Sequence, residues 1–247
     1  MTPLFVLGLV LSAGIGLSLG LIGGGGSIIT VPMLVYLLGV TPRAAVGMSL
    51  AVVGATAIVS ASLHHRKGAV AWRTGAVFAA SGMPAAYLGS KLTRLVSPRV
   101  LLLVFAGLML VVAAVMLTRA ARHEHVRKAK VGREVASGAG VGLLTGFLGV
   151  GGGFLIVPSL HAFGGLALKD AIGTSLFVIA VNCAAGLLGH LSDGVTEWRL
   201  TLVVALLAAL GAIVGTALSH RFHPKGLRRI FAWFVVAVAV FLIVKNY

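Results

Sequence analysis

The chain has 247 residues, 59% of them hydrophobic and 10% charged, with a mean hydropathy of +1.08. A soluble domain carries about 25% charged residues, so a water-facing globular surface is excluded and an integral membrane protein is expected. Lys and Arg number 20 against five acids, a net charge of +15, and in so apolar a chain this excess reads as membrane topology, with no nucleic-acid partner expected.

With charged residues and His64, His190 and His220 as boundaries, eight apolar runs remain: 1–42, 44–63, 74–90, 100–118, 135–168, 171–189, 200–219 and 230–244. Six of them have 15–20 residues, near the roughly 20 that cross a bilayer as a helix. The expected fold is therefore all-α and polytopic, a single transmembrane domain over residues 1–247. The first run is about twice as long and has no charge before Arg43. It lacks the basic n-region of a signal peptide and is expected to stay in the mature protein. Gly23-Gly24-Gly25-Gly26 divides it into a helix and a second piece, 28–38, which reaches roughly 16 Å, half a bilayer. The next helix is predicted to open at Arg43 behind Thr41 and Pro42, an N-cap and first-turn pair, and it carries Ser49 one turn in. Runs 74–90 and 100–118 read as further spans and end on RAARHEHVRKAKVGRE, the polar linker 119–134. Run 135–168 repeats the double-length design around Gly151-Gly152-Gly153, with a short piece at 154–164. The helix after it opens near Lys169 and carries Thr174 and Ser175, with Asn182 at the position of Thr56.

Shifting the sequence against itself by 126 residues aligns 13–106 with 139–232 without a gap, with 30 identities over 94 positions. Gly20/Gly146, Gly23/Gly149, Gly25/Gly151, Gly26/Gly152, Pro32/Pro158, Ser49/Ser175, His64/His190, Trp72/Trp198 and Pro98/Pro224 pair in this register. Chance matching in a biased composition does not align rare Trp, His and Pro this way. The chain reads as two homologous repeats, 1–118 and 135–247.

The basic residues orient the repeats. Four crossings per repeat make the repeats parallel and divide Lys and Arg 11 to nine between the two sides. If each glycine-split run dips in and returns on the same side, the repeats are inverted and the division is 14 to six. The positive-inside rule favours inversion, with the linker cytoplasmic. Broken helices that span the membrane are the alternative.

Consecutive glycines are poor helix formers, and a break at membrane depth exposes backbone groups that lipid cannot satisfy. Such breaks are tolerated where they are buried or line a polar cavity, and the positive end of a half-helix favours an anion. Paired discontinuous helices at matching places in two repeats point to a transporter's midplane site. The candidate substrate-binding residues are Gly24, Gly25, Gly26 and Ser27 in the first break and Gly151, Gly152 and Gly153 in the second. Ser49, Thr174, Ser175 and Asn182 join them from the helices that follow. The hydroxyls can donate to an oxyanion without burying a charge; back-bonding to the i−4 carbonyl is the alternative. Asn182 serves either as interhelical glue or as a ligand. The glycine runs have close helix packing as their alternative use, to which the isolated Gly16, Gly20, Gly82, Gly89, Gly142 and Gly215 are assigned.

The paired segments GLIGGGGSIITVPML and GFLGVGGGFLIVPSL, followed by helices opening as AAVGMSL and DAIGTSL, resemble the TauE/SafE sulfite-exporter family of permeases. The resemblance covers nearly the whole chain apart from the linker. It implies a multi-pass prokaryotic inner-membrane carrier for small inorganic or organic sulfur anions such as sulfite, sulfonates or thiosulfate. The copies differ at Val150 opposite Gly24 and at Gly153 opposite Ser27, so the two breaks need not contribute equally.

Arg43 and Lys169 read as basic groups snorkelling to the interface, with an anion vestibule as the alternative. Trp72 and Trp198 suit interfacial anchors, and the adjacent His64 and His190 can titrate near neutral pH. No acid falls mid-run, so the usual carboxylate proton relay is missing. The single Cys183 excludes an intrachain disulfide framework. Without a nucleophile–base set or metal-ligand spacing, no enzyme, metal or cofactor is expected. The lipid bilayer and a small anion are the expected partners, and a homo-oligomer is open. A channel-like anion facilitator and a non-transporting membrane scaffold subunit are the rival functions.

Overall fold

In the computed structural model the described residues are 3–23, 26–118, 131–149, 151–190, 197–219 and 224–246. Among them there are ten α-helices and no strand, so the all-helical expectation holds. The helices are α1 (Pro3–Ile22), α2 (Ser27–Tyr36), α3 (Pro42–Arg66), α4 (Trp72–Leu92), α5 (Pro98–Thr118), α6 (Val131–Leu148), α7 (Gly153–Ala162), α8 (Leu168–His190), α9 (Trp198–Leu218) and α10 (Pro224–Asn246). Long apolar stretches in α1, α3, α5, α8 and α9 give these five the length and composition to cross a membrane. Linker residues 119–130 lie outside the described residues; α6 starts inside the stretch read as linker, with Glu134 in its first turn, where the helix dipole favours an acid.

The short helices α2 and α7 have 10 residues each, about 15 Å, and end sooner than the apolar pattern predicts. After Tyr36 the N–H groups of Leu37 and Leu38 both donate to the Met33 carbonyl, and Gly39 takes a φ of +71°. The same closing turn follows α7, where Phe163 and Gly164 donate to Ser159 and Gly165 has a φ of +64°. These turns satisfy the last carbonyls and stop the helix. Thr41 takes the N-cap position of α3 with Pro42 behind it, but its side chain makes no capping bond.

Close approaches fix the helix directions. Gly26 abuts Ile15, Ser12 lies 3.6 Å from the Met33 sulfur, and Gly8 faces Leu38, so α2 runs back along α1. Gly186 faces Leu50, Gly54 faces Cys183, and Gly173 faces His64, so α3 and α8 are antiparallel. The pairs Gly16–Ala208 and Gly20–Ala212 make α1 parallel to α9, and Gly142–Gly82 and Gly146–Ala86 make α4 parallel to α6. At Gly16, Gly20, Gly142 and Gly146 an added methyl would strike the facing residue's backbone carbonyl. Small residues therefore let these backbones touch. Helices α5 and α10 pack on each other, and α2 meets α7.

Candidate functional site

The turns before the two short helices are built on glycines in the left-handed region, where a Cβ is strained. Gly23 has a φ of +82°, Gly149 of +71°, Gly151 of +65° and Gly152 of +64°. Gly23 sits on Ile172 of α8, and Gly149 sits on Val46 of α3. The hydroxyl of Ser49 on α3 donates to the Gly149 carbonyl at 2.6 Å. Reciprocally, Ser175 on α8 is 2.9 Å from the Gly23 carbonyl and 2.7 Å from that of Ile172. Each central helix thus holds the turn of the other half of the chain, with both serines fully buried.

Beyond these contacts the second turn sinks into the centre of the bundle. A methyl at Gly151 would meet Val53 of α3 at 2.5 Å and Ile179 and the Cys183 sulfur of α8 at 3.4 Å. At Gly152 it would strike the hydroxyl of Thr145, which donates to the Val141 carbonyl at 2.9 Å. Gly153 opens α7 and is buried. In the first turn Gly26 precedes α2 against the Ile15 carbonyl, and Ser27 is the buried first residue of that helix. Gly24 and Gly25 lie outside the described residues, as does Val150. The first N–H groups of any helix have no acceptor within the helix itself, and α2 and α7 direct theirs toward these turns.

The remaining predicted site residues divide. Thr174 is buried but engaged elsewhere, its oxygen accepting the Ala71 N–H at 2.9 Å just before α4 and its methyl packing on Gly75. Asn182 is fully buried, and neither atom of its amide has a hydrogen-bond partner. It faces Gly82 of α4, where an added methyl would lie 2.6 Å from Oδ1. The sequence reading missed Thr145 and the carbonyls of Gly23 and Gly149. The last two were signalled by the recurrence of these glycines at the same offset as the serines that bind them.

Arg43 is committed to structure, donating to the Val96 carbonyl at 3.2 Å beyond the end of α4. His190 Nε2 lies 3.1 Å from the Gly146 carbonyl, and His64 Nδ1 lies 3.0 Å from that of Ser60. Among the described residues no group of three or more His, Cys, Asp or Glu could hold a metal ion.

Among the described residues the secondary structure is wholly helical and five helices are able to cross a bilayer, the make-up of a multi-pass membrane protein. The sulfite exporter TauE/SafE family matches residues 7–242, and the chain belongs to that family of membrane transporters. A relative from Xylella fastidiosa (strain 9a5c), named as a probable membrane transporter protein, is 36% identical over 241 residues, covering 94% of this chain and 92% of the relative. The probable membrane transporter protein YunE of Bacillus subtilis (strain 168) is 27% identical over 269 residues, 98% of each chain. No solved structure matches the chain.

Proposed function

We propose that the protein is a secondary transporter of small sulfur-containing anions, such as sulfite, sulfonates or thiosulfate, built from two inverted repeats around a site at the paired glycine turns. The observation that carries this reading is the reciprocal pair of bonds from Ser49 to Gly149 and from Ser175 to Gly23. Both bonds join a central helix of one half to the turn of the other. A relative motion of the halves therefore acts directly on the turns, as alternating access about a fixed site requires.

Further support comes from the helix boundaries and directions. Ser27–Tyr36 and Trp72–Leu92 recur 126 residues later as Gly153–Ala162 and Trp198–Leu218. The equivalent helices α3 and α8 run in opposite directions, as inverted repeats demand. In an inverted arrangement with these directions, Arg66, Lys67, Arg73 and Lys169 lie toward one face and Arg43, Lys91, Arg94 and Arg199 toward the other. With the linker on the first face, the positive-inside rule makes that face cytoplasmic in the inner (plasma) membrane.

The chemistry suits an anion. The starts of α2 and α7 offer backbone N–H groups with the helix dipole behind them. Ser49 gives its proton to the Gly149 carbonyl and Ser175 shares its own between the Gly23 and Ile172 carbonyls, so both position the turns and leave the anion to the backbone. The substrate class follows the family description, sulfite exporter.

The test is flux through proteoliposomes of purified protein. Sulfite, thiosulfate or a small sulfonate is expected to move saturably and to show counterflow, which a channel-like facilitator lacks. Failure of all three to move in either direction would overturn the proposal. Gly152→Val is expected to abolish flux in protein that is still inserted and folded, and undiminished flux would remove the turns from the site.

A further inference from the structure

The two halves supply different polar groups at corresponding places. On α3, Thr56 donates to the Val52 carbonyl at 2.7 Å and has no proton left to give. Its counterpart 126 residues later is Asn182, fully buried, whose amide nitrogen and oxygen both lack partners. Burying an amide without hydrogen bonds is unfavourable, and apolar packing does not recover the loss. The amide points at α4 and reaches the second turn through two packing contacts: Gly82, which faces the amide, abuts Gly142. Gly142 is in turn the neighbour of Val141, which touches Gly152. Opposite the amide, α4 presents a bare glycine Cα.

Charge is the second observation. Among the described residues no Lys or Arg side chain is buried, the buried Glu134, His64 and His190 sit in the first or last turns of their helices, and the mid-helix Cys183 thiol is buried and neutral. Desolvation of an ion rises steeply with its charge, and a site made of amide and backbone dipoles has no counter-cation to compensate it.

We infer that the site is asymmetric and selects singly charged oxyanions over doubly charged ones, so that hydrogensulfite and sulfonates are preferred to thiosulfate among the proposed substrates, with the Asn182 amide as the side-chain group that binds them when α4 and α8 part. This deepens the transporter proposal and rests on it for the identity of the site.

The test uses the full-length protein and two tetrahedral probes of similar size, methanesulfonate as monoanion and sulfate as dianion. Each is measured as a competitor of sulfite counterflow in proteoliposomes and as a stabiliser in thermal unfolding of detergent-solubilised protein. Methanesulfonate is expected to act at concentrations at least about tenfold lower than sulfate. Asn182→Leu should raise its effective concentration about tenfold through the lost hydrogen bond. Thr56→Val should leave it unchanged. Equal potency of the two probes, or an unchanged response in folded Asn182→Leu, overturns the inference while leaving transport intact. Stabilisation by methanesulfonate but not sulfate, without any flux, keeps the selectivity and overturns the transporter proposal. Absence of both flux and stabilisation overturns both.

Discussion

A serine hydroxyl has one proton to give: at Ser49 it goes to the Gly149 carbonyl 100 residues away, and at Ser175 it is shared between the Gly23 carbonyl, 152 residues away, and the Ile172 carbonyl of its own helix. Replacing either serine by alanine leaves a buried carbonyl unpaired, at a cost of about 1–3 kcal/mol. Each single variant should therefore melt several degrees lower in detergent and carry sulfite more slowly, and unchanged melting of both would show that the bonds contribute nothing. The sequence made these two residues legible as a pair, because they recur at the repeat offset beside Gly47 and Gly173. Their partners were not legible, since a hydroxyl's acceptor depends on a tertiary contact that spacing does not encode. Thr174 illustrates the limit. It stands next to Ser175 in the chain, but a rotation of about 100° around the helix points it at the start of α4, where it accepts from Ala71.

Among the elements, charges misled about helix length. Arg73 and Lys91 bound an apolar run at 74–90, yet α4 continues through both, over Trp72–Leu92. A charge marks where a helix leaves apolar surroundings, whereas the helix itself ends where its hydrogen bonds do. Contacts between elements make sharper predictions. Gly146 on α6 has no room for a side chain against the Ala86 carbonyl, while Gly140 on the same helix has nothing within 4 Å. Gly146→Val should destabilise by about 3 kcal/mol through overpacking, and Gly140→Ala should stabilise by about 0.5–1 kcal/mol; thermal unfolding of the two variants reads the difference. Where α3 crosses α8, a Cβ at Gly54 would lie 3.1 Å from that of Cys183. In Gly54→Cys an oxidant should form a disulfide between the two helices, seen as a loss of free thiol, and flux should fall until a reductant restores it.

For the whole molecule, the proposed orientation is open to chemical labelling. In a cysteine-free background, cysteines placed at Lys67 and Lys169 should react with a membrane-impermeant maleimide only in inside-out vesicles, and those at Arg94 and Arg199 only in intact cells. Labelling of all four from one side would refute the inversion. The exchange of partners between halves also bears on synthesis. The Gly16 and Gly20 face of α1 meets its partner in α9, nearly 200 residues later, whereas α4 needs to wait only for α6. The emerging chain must hold α1 in the bilayer with its glycine face unmatched until almost the whole protein has been made. A ribosome stalled after α5 would leave a half with neither of its close partners, a natural substrate for membrane quality control. Two separately translated halves, by contrast, have every complementary surface needed to find each other and assemble.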